Sequence, residues 1–398
     1  MIFIECLLLS MMLIGTIDSQ TFSPIVLVPG NGGSRAYNYQ KNDLICKEDL
    51  IWINYYYLLF PKKLNRIFKL IYNPITRSTG DLPNTNISFP GWGSTENIET
   101  LGYLAVGRMK YFESLVEQLV KIPYYVRNKT VRGAPYDFRR APNENKDFFT
   151  NLKKLIEETF MNSGNTKVVL LGHSLGSLYS LYFLKKMDIS WKRKFLRSFL
   201  SVNGPFAGAV QALYSETHGI SYILPKNAKY FRELERTFPS IAFLLPKPEV
   251  FGKDPLVVSS KRSYSAYDYK ELFKDMDMEY GNMMYEDTKN LINASETPTG
   301  LDEIYCIYSK GIQTPKQLKY SSFPDSEPVV VKGDGDGTVN LESLQVCRNW
   351  KNTKYLVLEK EQHIDILKSS KLIKFLIEIL HLRPTNKFRY QDLMDNIL

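Results

Sequence analysis

The chain has 398 residues, of which 44% are apolar and 23% charged, a balance that is ordinary for a soluble globular protein. This length allows one catalytic core with large insertions. The net charge is +9, but the Lys and Arg residues are dispersed along the chain, which argues against an arm that binds nucleic acid.

The N-terminus has the pattern of a secretory signal peptide. Residues 2–14 are almost wholly apolar, which is too short to span a bilayer as a helix, and small polar residues follow them. We therefore predict a signal peptide at residues 1–19, with a buried N-terminal strand or helix as the alternative. Three sequons support export and predict glycosylation at Asn86, Asn128 and Asn293.

The cysteines suit an oxidising compartment. Cys6 lies in the predicted signal peptide, which leaves Cys46, Cys306 and Cys347. Three cysteines predict one disulfide and one leftover thiol. None of them has the spacing of metal ligands, so we predict no metal site and no cofactor.

Strands and helices alternate along most of the chain. The predicted strands are 24–29, 167–171, 196–202, 304–308 and 355–358, and the predicted helices are 108–120, 147–160, 175–187 and 364–380. This alternation predicts an α/β fold with a mostly parallel sheet and helices on its faces. The stretch 206–325 is long, mixed and rich in Tyr, Pro and Lys, and we predict that it forms a cap insertion over the sheet.

Residues 50–74 are dense in aromatic and basic side chains. From residue 62 on, the apolar and basic residues separate onto opposite faces of a predicted helix. The apolar face holds Leu64, Ile67, Phe68 and Ile71, and the basic face holds Lys62, Arg66 and Lys69. This pattern is typical of a helix that lies in a membrane interface, but also of a helix that packs on the protein's own core.

The strongest motif is G-x-S-x-G at residues 172–176. A Val/Leu strand leads directly into it and an apolar helix leaves it, which is the sequence of a nucleophile elbow. The tight turn presents Ser174 to a substrate, and the N-terminus of the next helix favours a developing negative charge. A plain strand-to-helix turn is the alternative, and the flanking elements favour the nucleophile.

A serine nucleophile needs a base and an orienting carboxylate, which in this fold follow in the order Ser, Asp or Glu, His. Of the four histidines, His363 lies in a short loop between a predicted strand and a predicted helix, so it is the predicted base. The glycine-rich loop 333–339 supplies the acid, which is either Asp334 or Asp336. The loop lacks the glutamate that would complete an EF-hand calcium site.

An oxyanion hole requires two backbone N–H donors. One is the N–H of Leu175, which directly follows the nucleophile. The other is expected from the glycine turn after the first strand, where we favour the N–H of Asn31.

Taken together, these segments resemble the lecithin–cholesterol acyltransferase family, which includes a lysosomal (group XV) phospholipase A2. The matching segments are 25–30, 132–145 (RGAPYDFRRAPNEN), 172–176, 333–340 and 363–364. They are spread over almost the whole mature chain, and segment 132–145 is much more specific than a lipase pentapeptide.

The resemblance implies an α/β-hydrolase fold for residues 20–398, with a membrane-binding lid at 40–75. It selects Asp336 for a triad with Ser174 and His363, and it supports oxyanion donors at Asn31 and Leu175. It also implies a disulfide between Cys306 and Cys347. Within the lid, we expect lipid contacts from Trp52, Leu59, Phe60 and Phe68.

The resemblance further implies the reaction. A phospholipid acyl ester would be cleaved through an acyl-Ser174 intermediate at a membrane surface, and the acyl group would pass to water or to a lipid alcohol. The location would be the lysosome lumen or the extracellular space. Two alternatives stay open: a neutral-lipid or steryl ester lipase with the same triad, and a catalytically silent lipid-binding protein. The complete Ser, Asp and His set argues against the second.

Three positions depart from the family pattern, and at one of them Phe206 stands near the pocket where the family has Trp. The partner of Cys46 in the family's lid disulfide would fall near Lys63, where this chain has no cysteine, so Cys46 is free or pairs elsewhere. The lysosomal member has Asp at the position of Asn31. A carboxyl group beside an oxyanion works best when it is protonated, whereas Asn31 is neutral at every pH. We therefore expect this protein to depend less on acid.

Overall fold

The computed structural model describes residues 22–42, 45–105, 107–221 and 223–382. Within these ranges it describes the backbone throughout and the side chains of all residues except those from 40 to 47. The predicted signal peptide and the side chain of Cys46 lie outside this described part. None of the helices in these ranges combines the length and the apolar character that crossing a bilayer requires.

The described strands, in chain order, are β1 Ile25–Val28, β2 Ala36–Asn42, β3 Ile45–Trp52, β4 Leu70–Asn73, β5 Ser78–Asp81, β6 Ile87–Ser88, β7 Thr100–Leu104, β8 Gly107–Lys110, β9 Val131–Gly133, β10 Val168–His173, β11 Leu196–Val202, β12 Val257–Val258, β13 Ser263–Tyr264, β14 Glu303–Lys310, β15 Thr314–Lys319, β16 Val329–Gly333 and β17 Thr353–Glu359.

The described α-helices are α1 Tyr55–Leu59, α2 Pro61–Phe68, α3 Glu96–Glu99, α4 Glu113–Leu119, α5 Lys146–Asn162, α6 Leu175–Lys186, α7 Ile189–Phe195, α8 Val210–Thr217, α9 Ala228–Glu235, α10 Pro239–Phe243, α11 Pro248–Phe251, α12 Tyr269–Asp275, α13 Gly281–Thr288, α14 Leu341–Leu344 and α15 Ser370–Leu380. Short 3₁₀ turns lie at Pro142–Glu144, Pro225–Asn227, Gln345–Asn349 and Asp365–Lys368.

A six-stranded sheet in the order β17-β14-β11-β10-β1-β9 forms the centre, and every neighbouring pair in it is parallel. Strands β1 and β10 are buried at every position, which explains their unbroken apolar runs. Helix α6 packs on β10, β1 and β11. The predicted α/β-hydrolase fold is confirmed. Because the strands are parallel, the loops that follow them meet at one edge of the sheet.

Three predicted helix boundaries are wrong. The predicted helix 364–380 begins only at Ser370, because a 3₁₀ turn occupies Asp365–Lys368, and strand pairing displaces the other two. The predicted helix 108–120 begins only at Glu113, because residues 107–110 pair with β7 as strand β8. The predicted helix from residue 62 ends at Phe68, because Lys69 is extended and residues 70–73 pair with β5 as strand β4. Local pairing with a neighbouring strand overrides the helical periodicity in both places.

The chain between β11 and β14 holds helices α8 to α13 together with β12 and β13. Strand β14 belongs to the central sheet, so the predicted cap range 206–325 contains one core strand besides the insertion. After β14, strands β15 and β16 join the insertion in a second sheet, in the order β13-β12-β15-β16. The loop with Asp334 and Asp336 follows β16, so this small sheet anchors it.

Segment 132–145 is organised around Arg139, which is fully buried. Its guanidinium donates to both carboxylate oxygens of Asp137, each at 2.8 Å, and to Asp81 Oδ1 at 2.7 Å. It also donates to the carbonyl oxygen of Phe68 at 3.2 Å and lies 4.6 Å from the centre of the Phe68 ring. Arg139 thus joins β5, α2 and the loop after β9 into one unit.

Cys306 on β14 and Cys347 in the 3₁₀ turn after α14 form a disulfide, with their Cα atoms 5.6 Å apart. This is the pairing that the resemblance implies. Both residues are buried. The disulfide fastens the segment between the acid loop and β17 to the central sheet.

Candidate active site

Ser174 lies in a strained turn between β10 and α6. Its backbone has φ 55° and ψ −129°, and its N–H donates to the carbonyl oxygen of Val202 at 2.9 Å. A Cβ atom on Gly176 would collide with the carbonyl oxygens of Val28 and Pro29, so a glycine is required for this close approach to β1. The sharp turn at the end of a buried strand is the geometry of a nucleophile elbow.

Ser174, His363 and Asp336 form one hydrogen-bonded chain. His363 Nε2 lies 2.9 Å from Ser174 Oγ, and His363 Nδ1 lies 2.6 Å from Asp336 Oδ2. Asp336 is fully buried, and its Oδ1 accepts the N–H groups of Thr338 at 3.0 Å and Val339 at 2.8 Å. The carboxylate therefore holds the imidazole with Nδ1 protonated and Nε2 directed at the serine.

The other candidate acid does not reach the imidazole. Asp334 is exposed, and its Oδ1 accepts the N–H groups of Gly311 at 2.6 Å and Gly335 at 2.7 Å. Sequence spacing left the two acids undecided, and the structure brings Asp336 to His363. In the described ranges no group of His, Cys, Asp and Glu is arranged to hold a metal ion.

The other histidines lie outside the chain of three residues. The ring of His218 stacks on that of Tyr214, and the ring of His381 meets that of Phe22 edge to face. His173, inside the elbow, is buried and points away from the Ser174 hydroxyl. Burial and the nearby His363 lower the pKa of His173 to about 3, so its ring is neutral.

The glycine turn after β1 passes directly beside the nucleophile. A Cβ atom on Gly30 would lie 2.7 Å from Ser174 Cβ. The Gly30 N–H donates to the hydroxyl of Tyr111 at 2.9 Å, so it is already used. Asn31 is the next residue, is exposed and lines the cavity, while Leu175 begins α6. Both predicted oxyanion residues thus flank Ser174.

Ser174 and His363 open into a cavity of about 260 Å³. Its walls are mostly apolar and come from the β1 turn, from Trp52 and Ile53, and from α8, α9 and α10 of the insertion. Three polar side chains in the walls, Gln211, Ser215 and Glu235, carry no local sequence signal of a site. A second apolar groove of about 510 Å³ adjoins this cavity and shares Trp52, Ile53 and Met109 with it.

Two of the four predicted membrane contacts are wrong. Phe68 is fully buried, and the centre of its ring lies 5.9 Å from that of Phe238 and 6.0 Å from that of Phe138. The apolar face of α2 therefore packs on the protein itself. Trp52 is 7% exposed, and its Nε1–H donates to the carbonyl oxygen of Gly32 at 2.9 Å. The tryptophan is a wall of the cavity.

The other two predicted contacts lie at the surface, where α1 meets α2. Phe60 is 51% exposed and Leu59 is half-buried. Tyr56, Lys62 and Lys63 surround them and are exposed. We call these five residues the aromatic–basic corner. Asn86, Asn128 and Asn293 are also exposed, and their glycosylation stays a prediction.

The fold and this site define a serine hydrolase of the α/β-hydrolase class. A chain in the crystal structure of the Tle4-Tli4 complex aligns with 90% of this chain and 99% of its own length, at a TM-score of 0.51 and 13% identity. At that identity the likeness shows the fold alone.

Sequence comparison gives the family. The family described as lecithin:cholesterol acyltransferase matches residues 48–293 and 263–378. Lysosomal phospholipase A and acyltransferase from Homo sapiens is 34% identical over 376 residues, which cover 90% of each chain. Phosphatidylcholine-sterol acyltransferase from Gallus gallus is 36% identical over 290 residues, 71% of this chain and 68% of its own. The chain belongs to the lecithin:cholesterol acyltransferase family.

Proposed function

We propose that this protein is a phospholipase A and O-acyltransferase that uses Ser174 as its nucleophile. The observation that carries the proposal is the hydrogen-bonded chain of Ser174, His363 and Asp336 at the mouth of an apolar cavity. The apolar walls can bind a fatty acyl chain, and a serine activated by a histidine can attack the carbonyl carbon of an ester. The names of the relatives support a phospholipid as the acyl donor.

The reaction takes place in two halves. Ser174 Oγ attacks the acyl carbonyl while His363 Nε2 accepts its proton, and the N–H groups of Asn31 and Leu175 stabilise the oxyanion. The tetrahedral intermediate collapses, and the leaving lysophospholipid oxygen takes the proton from His363. Water or a lipid hydroxyl then attacks the acyl-Ser174 ester, with His363 again as the base, which releases a fatty acid or a new ester.

Mass spectrometry of the products tests this proposal. The wild type is incubated with mixed phospholipid liposomes, with and without a long-chain alcohol, and Ser174→Ala serves as the blank. We expect lysophospholipid in both reactions and an acylated alcohol only when the alcohol is present. If the enzyme instead consumes triacylglycerol or steryl ester and spares phospholipid, the neutral-lipid alternative is correct.

We also propose that the protein acts in the lysosome lumen or outside the cell, after removal of residues 1–19. The Cys306–Cys347 disulfide supports an oxidising route of synthesis. A relative whose name includes the lysosome is similar over 90% of this chain, which supports the first of the two locations.

We propose that the aromatic–basic corner contacts the phospholipid surface. Lys63 Nζ lies 4.7 Å from the centre of the Tyr56 ring and 5.7 Å from that of Phe60, so cations and exposed rings are interleaved. Such a surface can insert rings at the headgroup level while its lysines face anionic lipid. Tyr55 and Leu58, on the same helix α1 as Tyr56 and Leu59, line the apolar groove that adjoins the cavity, so the groove offers a lipid chain a route towards Ser174.

Replacing both Leu59 and Phe60 with Ser is expected to weaken binding to anionic liposomes. The loss of about 2 kcal/mol of apolar transfer free energy corresponds to roughly thirtyfold weaker binding. Co-sedimentation measures the binding, and hydrolysis of a soluble short-chain ester should be unchanged. Met161→Ser is a control, because this exposed residue lies in the last turn of α5, before the start of β10, whereas Ser174 follows the end of β10. Equal loss in the control, or loss of the short-chain activity, would contradict the proposal.

Asn31→Asp is expected to confine activity to acid. Above its ordinary pKa of about 4, the new carboxylate would place a negative charge beside the oxyanion, at a cost of at least roughly tenfold in kcat/KM. The ratio of variant to wild-type kcat/KM should therefore fall as the pH rises from about 4 to about 7. The wild type, with a neutral amide, should stay active above about pH 6. Wild-type activity that vanishes there on anionic liposomes would refute the expectation.

A further inference from the structure

A chain of buried hydrogen bonds runs behind the nucleophile. The Gly30 N–H lies 2.9 Å from Tyr111 Oη, Tyr111 Oη lies 2.6 Å from His173 Nδ1, and His173 Nε2 lies 2.9 Å from the carbonyl oxygen of His363. Its two ends are the turn that carries the oxyanion donor and the loop that carries the catalytic base. Tyr111 and His173 are 3% and 1% exposed, so no bulk water competes for these bonds.

The chemistry of the partners fixes the direction of each bond. A carbonyl oxygen can only accept, so His173 Nε2 carries the ring proton. Because the His173 ring is neutral, its Nδ1 is then an acceptor, and the single hydroxyl proton of Tyr111 is donated to it. The lone pairs of the tyrosine oxygen accept the Gly30 N–H. All three bonds thus point from the turn towards His363, an arrangement in which each bond polarises the next.

Other contacts hold both ends of this chain. The His363 carbonyl oxygen also accepts Asn203 Nδ2–H at 3.1 Å, and the His363 N–H donates to the Asp336 carbonyl oxygen at 2.9 Å. At the other end, the hydroxyl of Tyr136 donates to the Pro29 carbonyl oxygen at 3.0 Å. The chain from Tyr111 to His173 is the link that joins the two ends to each other.

We propose that Tyr111 and His173 are positioning residues that set the spacing between the oxyanion turn at Gly30–Asn31 and the catalytic loop of His363. Both side chains border the cavity, but their polar atoms are engaged in these three hydrogen bonds rather than directed at a substrate. The turn and the imidazole serve the same tetrahedral intermediate from different elements, and an error of about 1 Å in such a site costs about a hundredfold in rate. This inference rests on the proposed hydrolase function and adds to it a pair of residues that keep the oxyanion turn and His363 at a fixed spacing.

Tyr111→Phe removes one oxygen and breaks two of the three bonds. We expect kcat on a soluble short-chain ester to fall about a hundredfold while KM stays near that of the wild type, because the substrate's own contacts remain. The affinity for a boronic acid, which forms a tetrahedral adduct with Ser174, should fall in parallel with kcat.

Tyr125→Phe is the matched control. Tyr125 is 2% exposed and its hydroxyl donates to the Ser23 carbonyl oxygen at 3.0 Å, away from the active site. Both variants lose a buried hydroxyl worth about 1 kcal/mol, so their melting temperatures should fall by similar amounts. Only Tyr111→Phe should lose kcat. Equal kcat in the two variants would overturn the proposal.

A second pair of variants gives an answer even if Tyr111→Phe does not fold. The amide of His173→Gln can still donate to the His363 carbonyl oxygen and accept from Tyr111, whereas His173→Leu can do neither. We expect His173→Gln to retain most of the kcat that His173→Leu loses, and equal kcat in both would refute a positioning role. Labelling of the wild type by a fluorophosphonate is measured separately, so that failure of the hydrolase proposal itself is recognised.

Discussion

Asp336→Asn is expected to lower kcat about ten-thousandfold without unfolding the protein. The reason lies in the two oxygens of this carboxylate. Oδ1 accepts the N–H groups of Thr338 and Val339, so the amide oxygen of an asparagine must take that place. The amide NH₂ then faces His363 Nδ1 and donates to it. The ring proton moves to Nε2, and the imidazole can no longer accept the proton of Ser174.

Asp334→Asn is the control within the same loop. Its Oδ1 accepts two backbone N–H groups, which an amide oxygen can also accept, and it makes no contact with His363. We expect near-wild-type kcat from this variant on a soluble ester, and circular dichroism should show both variants folded. If Asp334→Asn lost as much activity as Asp336→Asn, the assignment of Asp336 as the orienting acid would be wrong.

Arg139→Met is expected to reduce the free energy of unfolding by about 3–5 kcal/mol at pH 7. Methionine fills much of the volume, but it leaves the largely buried carboxylate of Asp137, whose side chain is 15% exposed, without its main partner. Burial alone would raise the pKa of Asp137, yet the charges and hydrogen bonds of Arg139 and Arg140 outweigh it and hold that pKa below its ordinary value. This balance is lost in the variant. Urea denaturation followed by tryptophan fluorescence measures the change.

The sign of the pH dependence follows from the lowered pKa of Asp137. A carboxylate whose pKa is depressed by folding stabilises the folded state above its unfolded pKa of about 4, and this contribution is lost as the pH falls through the folded value. The difference between wild type and Arg139→Met should therefore shrink in acid. Lys153→Met breaks the surface pair of Lys153 with Glu157 and should cost less than about 1 kcal/mol. Similar losses in the two variants would contradict a special role for Arg139.

The elbow and the base were predictable because their signals are local. A buried strand, a glycine-flanked serine and an apolar helix are read in one window, and His363 is the single histidine in a suitable loop. The choice between Asp334 and Asp336 was not local. Both lie in the same glycine-rich loop, and only the approach of β17 and its following loop decides which carboxylate meets the imidazole.

The surface assignments failed for a different physical reason. An amphipathic pattern states that a helix has an apolar face, but it does not state whether protein or lipid covers that face. In α2 the protein covers it, and Phe68 packs against other aromatic rings. The chain from Tyr111 to His173 had no sequence signal at all, because its partners are 62 residues apart and meet only when the sheet forms.

The small sheet that joins β12 to β15 and β16 has a consequence for how this enzyme can be changed. The Asn340 side chain, just after the acid loop, accepts the N–H of Val210 in the insertion and donates to the carbonyl oxygen of Pro315. The insertion that lines the cavity and the loop of Asp336 are thus connected directly through the Asn340 side chain. A chimera made to exchange lipid selectivity between relatives must transplant residues 314–340 together with the helices of the insertion. In this chain, a change in the cavity walls that select the lipid therefore also affects the position of the Asp336 carboxylate.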